Sequence, residues 1–265
     1  SNNGAGLMRF TNPHPNKNSL NIFIQNSVFS NNSGPTGTIF YAETTSMQMN
    51  FVQNNVSNNI LRQQDGGLFH LNNISNSALV IEKSNFDVGG IIDQEIVSSA
   101  ISANALSIKK SLGNISVEVT NCNLNADSSS IGTFFSIYSN VNLKLNVTQF
   151  GYSSDTIDSG TSPSSKYGII QTDSIQVSLD SLSVSNVSLI NRPLFFLNCS
   201  TSADSSINFE MKNSTFENLS LDKGIFLIDS QGENELKALN NFSIWIENCS
   251  FSNLELNSHS SSYLA

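Results

Sequence analysis

Asn21-Ile22-Phe23-Ile24-Gln25-Asn26-Ser27-Val28-Phe29-Ser30-Asn31 is the stretch on which the reading of this chain turns. A short apolar run is followed by three polar positions. An apolar anchor comes next, Phe29, and two residues later an Asn. The same arrangement returns as Met49-Asn-Phe51-Val-Gln53-Asn-Asn-Val56-Ser-Asn58 and Leu79-Val-Ile81-Glu-Lys83-Ser-Asn-Phe86. It continues as Val117-Glu-Val119-Thr-Asn121-Cys-Asn-Leu124 and Leu143-Lys-Leu145-Asn-Val147-Thr-Gln-Phe150. The last copies are Val177-Ser-Leu179-Asp-Ser181-Leu-Ser-Val184, Phe209-Glu-Met211-Lys-Asn213-Ser-Thr-Phe216 and Ile244-Trp-Ile246-Glu-Asn248-Cys-Ser-Phe251-Ser-Asn253. The anchors recur about every 30 residues with elastic spacing, as a solenoid with fixed strands and variable turns requires.

A second segment lies between most anchors, where Gly or Pro leads an apolar run. Examples are Gly37-Thr-Ile-Phe-Tyr41, Gly67-Leu-Phe-His70, Gly132-Thr-Phe-Phe135, Gly168-Ile-Ile170, Pro193-Leu-Phe-Phe-Leu197 and Gly224-Ile-Phe-Leu-Ile228. Gly4-Ala-Gly-Leu-Met-Arg-Phe10 is an earlier copy, so the chain opens in mid-coil. Alternation at period two marks half-buried strands, and no stretch keeps a helical period for ten residues. One unit alone has too small an apolar stripe to fold, whereas stacked units share a continuous interior. The expected fold is therefore all-β: a right-handed parallel β-helix of about eight to nine coils, with residues 1–265 as one repeat domain. At about 4.8 Å per coil the rod is roughly 40 Å long.

The recurrent Asn positions fit that fold. Three residues before the anchor stand Asn26, Asn121, Asn213 and Asn248, and two residues after it Asn31, Asn58, Asn186, Asn218 and Asn253. Asn tolerates the left-handed backbone of tight corners, and stacked amides can hydrogen-bond along the rod axis. These ladders are read as structural. Alternating Asn-x-x-Phe-x-Asn and Gly-Gly-[apolar] segments are similar to pectin-lyase-like right-handed β-helix proteins. They resemble in particular the GGA[ILV] and FxxN repeats of chlamydial polymorphic outer-membrane proteins and kindred protist surface proteins. Gly66-Gly-Leu-Phe and Phe29-Ser-Asn-Asn32 are the nearest copies, while most others have a single Gly or Phe-x-Asn. The resemblance implies an architecture.

Composition narrows the function. The chain has 38 Asn and 47 Ser, only 12% charged residues and a net charge of −9. With 12 Lys and Arg and no basic cluster, it has no footprint for nucleic acid. No apolar run is long enough for a membrane-spanning helix. Cys122, Cys199 and Cys249 show no metal-ligand spacing and are expected as small buried side chains, so no metal or cofactor is expected. Because the ends carry neither a leader nor a polar cap, the chain is expected to be a piece of a longer one, or to pack end to end.

The fold resemblance raises a carbohydrate-active enzyme, a polysaccharide lyase or glycoside hydrolase, which would need clustered carboxylates with basic partners. His14, His70 and His259 are isolated, and the nearest acidic groupings are Asp155 with Asp158 and Glu233 with Glu235. The polar insertion from Asp155 to Lys166 reads as a solvated loop, since its two Asp lack the spacing of a calcium loop. No catalytic residues are assigned.

Eleven Asn-x-Ser/Thr sequons are present, little above what the Asn, Ser and Thr content gives by chance. They are Asn31, Asn55, Asn73, Asn114, Asn146, Asn186, Asn198, Asn213, Asn218, Asn241 and Asn248. In a eukaryotic secretory pathway those facing solvent would carry N-linked glycans, with Asn73, Asn114, Asn198 and Asn241 favoured because they lie outside the ladder positions. The leading expectation is an extracellular or cell-surface structural or adhesive glycoprotein, non-catalytic, that presents a rigid rod or filament to itself or to a surface carbohydrate or protein ligand. An intracellular ciliary or cytoskeletal scaffold with unmodified sequons is the third reading.

Overall fold

A computed structural model describes residues 7–11, 19–34, 39–43, 46–57, 59–61, 67–88, 102–126, 131–154, 157–158, 169–172, 174–189, 194–199, 206–221, 224–230 and 241–256. Among these, every regular element is a β-strand and every strand pairing is parallel. The chain is a parallel β-solenoid. Alternation produces it directly. Ser46–Val52 and Ser206–Lys212 show the same pattern, with each second residue buried and those between turned to the surface.

Strands stack into three faces. On the first, one register runs Phe10, Ala42, Leu71, Ile108, Ile137, Ile170, Leu197, Ile228. On the second it runs Ile22, Met49, Leu79, Val117, Leu145, Val177, Phe209, Ile244. On the third it runs Phe29, Val56, Phe86, Leu124, Tyr152, Val184, Phe216, Phe251. The Gly- and Pro-led segments build the first face, and the anchors build the third. The strands Ser102–Ala126 and Ile131–Ser154 each run through all three faces without a break.

One core fills the interior. Phe86, Phe150 and Phe216 belong to a single buried cluster, and Phe29 packs against it. Its early coils are aromatic. The Phe51 ring lies 4.9 Å from Phe69 and 6.0 Å from Phe86, and Phe69 is 6.3 Å from Phe86. The coils from Leu106 to Leu197 carry mostly Val, Leu and Ile, and aromatic rings return at Phe209 and Phe216. Each fully buried side chain of this size stabilises the fold by about 1.5–3 kcal/mol.

The corner between the second and third faces repeats in every coil. Asn26, Gln53, Lys83, Asn121, Gln149, Ser181, Asn213 and Asn248 all have φ between 49° and 57°. That left-handed geometry explains the Asn preference, since the residue's short amide tolerates it best. A second left-handed position follows the anchor at Asn31, Asn186, Asn218 and Asn253, with φ between 52° and 57°.

The corner also corrects one anchor. The apolar residue at 150 suggests Phe150 as the fifth anchor, yet Tyr152 pairs with Leu124 and Val184, whereas Phe150 pairs with Cys122. The left-handed residue is Gln149, three before Tyr152. A buried aromatic stands where other coils have a small turn residue, and this disguised the register.

Candidate functional site

Three features concentrate polar chemistry: a stack at one end of the first face, the turn columns and the sequons. The stack forms because Arg9, Tyr41 and His70 share one register between core-facing neighbours. The Arg9 guanidinium lies 5.4 Å from the Tyr41 ring centroid, and the Tyr41 and His70 rings are 5.6 Å apart and nearly parallel. Tyr41 and His70 are both buried although they alternate with the core-facing Phe40, Ala42, Phe69 and Leu71.

The Tyr41 hydroxyl donates to Glu43 Oε2 at 3.3 Å, and the Asn73 amide donates to Glu43 Oε1 at 3.1 Å. Burial raises the Tyr41 phenol above its ordinary pKa, and the Glu43 carboxylate adds to this. The phenol therefore stays protonated at neutral pH. Asn73, a sequon residue, is tethered to the cluster. The arrangement packs the Tyr41 ring and ties its hydroxyl to Glu43. His70 is buried, with its ring against that of Tyr41. The repeat makes the register of Phe40-Tyr41 over Phe69-His70 legible, whereas the ring stacking is a matter of three-dimensional contact.

A second feature lies inside the corner and was also missed. The residue after each left-handed position points inward: Ser27, Asn54, Ser84, Cys122, Phe150, Leu182, Ser214 and Cys249. Asn54, Ser84 and Ser214 each accept a backbone N–H from the preceding coil. Ser27 N–H donates to Asn54 Oδ1 at 2.9 Å, Asn54 N–H to Ser84 Oγ at 3.1 Å, and Leu182 N–H to Ser214 Oγ at 3.1 Å. Each hydroxyl donates in turn to a carbonyl two residues back: Ser27 to Gln25, Ser84 to Glu82 and Ser214 to Lys212, at 3.0, 2.9 and 2.7 Å. Polar groups buried at 0–2% exposure are thereby satisfied, as interiors demand. Cys122 and Cys249 are free thiols. Burial pushes the Cys122 thiol up to about 11. The Cys199 side chain lies outside the described residues.

Outside the corner, amides stack along the axis. Asn123 donates to Asn85 at 3.0 Å, Asn142 to Asn114 at 3.1 Å, Asn218 to Asn186 at 3.2 Å and Asn253 to Asn218 at 2.9 Å. Of the sequon residues whose side chains are described, Asn31, Asn55, Asn73, Asn114, Asn186, Asn213, Asn218 and Asn248 are exposed, and Asn146 is half-buried. The side chains of Asn198 and Asn241 lie outside the described residues. So do His14, His259, Asp155, Lys166, Glu233 and Glu235, and the Asp158 side chain. Residues Ile157–Asp158 contribute only a short backbone pairing to Ser188 and Leu189.

Among the described residues no three His, Cys, Asp or Glu side chains stand close enough to share a metal ion, and no helix is long and apolar enough to cross a membrane. Comparison with protein-family models, curated proteins and solved structures finds no match to this chain.

Proposed function

We propose that this chain is a right-handed β-helical rod of about eight to nine coils, an extracellular or cell-surface structural or adhesive scaffold that carries N-linked glycans and performs no catalysis. The parallel pairing of each coil with the next on all three faces supports the rod. The observation that carries the glycoprotein reading is exposure: sequon asparagines in distant coils, from Asn31 to Asn248, turn their amides to solvent. A rigid rod with glycans along its sides resists bending and keeps its faces apart from neighbours, as a surface spacer or adhesin requires. The bare remainder is left for a carbohydrate or protein ligand.

Column geometry limits how the sites fill. Asn186 and Asn218 stand on neighbouring coils about 4.8 Å apart, with their amides joined at 3.2 Å. Two sugar rings do not fit side by side at that spacing, so one glycan excludes the other. The test is intact mass of the chain secreted from a eukaryotic host, before and after enzymatic release of N-glycans. Mapping the Asn-to-Asp conversions at released sites should find 186 or 218 converted in any one molecule, never both. An unchanged mass would sink the glycoprotein reading and favour the intracellular scaffold. Turnover of an acidic polysaccharide by the purified chain would instead favour an enzyme.

A further inference from the structure

We draw no further inference here: the strongest candidate, the column on the first face that runs by register from Tyr41 and His70 through Ser107 and Ser136 to Ile169, Phe196 and Leu227, is a sheet face for which nothing in the structure shows what covers it.

Discussion

The coil holding Ser206–Lys212 and Thr215–Leu221 and the one holding Asn241–Glu247 and Ser250–Leu256 differ little in sequence pattern and are hydrogen-bonded to each other along their length. Phe209, Met211 and Phe216 are at most 1% exposed, whereas Ile244, Ile246 and Phe251 are at least 42% exposed. A rung of this solenoid thus supplies half of a core; the other half comes from the neighbour above. Stability is then a property of interfaces between coils, not of coils.

The largest expected effect breaks that comparison directly. Phe216→Ala removes a ring packed from both sides, including the Phe251 ring at 5.2 Å. It should cost about 3–5 kcal/mol. Phe251→Ala removes a ring packed from one side only and should cost less than half as much. Urea denaturation of the dilute chain measures both. Equal losses would mean that the last rung is covered in solution.

The fold was legible because the solenoid writes its period into the chain. Alternating apolar residues at Ile244 and Ile246, the corner Asn248 and the anchor Phe251 are local signals that recur, and stacking adds only their alignment. The corner at Gln53, Lys83, Gln149 and Ser181 was less legible, since the left-handed turn there is imposed by the coils on either side and not by the residue. Tyr152 was missed for the same reason. The outward sites were least legible. That Tyr41 stacks on His70, or that Ser84 and Cys122 occupy one column, follows from which coil lies next to which, and turn lengths alone decide that.

The two free thiols offer the next contrast within one column. Cys122 is fully buried and its pKa is pushed up to about 11. An unfolded thiol ionises near 8.5, so between these values the folded state binds more protons than the unfolded one. The resulting stability is intact below pH 8.5 and is lost as pH rises toward 11, by up to about 3 kcal/mol. The loss should disappear in Cys122→Ala. Cys249, at the half-buried end of the same column, should react with iodoacetamide at pH 8 while Cys122 stays protected.

Ser214 and Ser27 extend the comparison to hydrogen bonds. Ser214→Ala strands the buried Leu182 N–H, which should cost about 1–3 kcal/mol. Ser27→Ala removes only the hydroxyl's bond to the Gln25 carbonyl, which is exposed to water. Its effect on stability should be close to zero.

The smallest expected effect is a difference that should not exist. The corner residues Asn121 and Asn248 have the same φ of 53°, one within the stack and the other on the open rung. The strain of forcing an alanine into that backbone is set by its own Cβ against its own carbonyl, about 1 kcal/mol. It owes nothing to the neighbouring coil. Asn121→Ala and Asn248→Ala, made in a host that does not glycosylate, should therefore lose the same stability to within a few tenths of a kcal/mol. If Asn121→Ala proves much the worse, the corner amide draws its strength from stacking along the axis. The αL preference would then be a consequence of the ladder and not its cause.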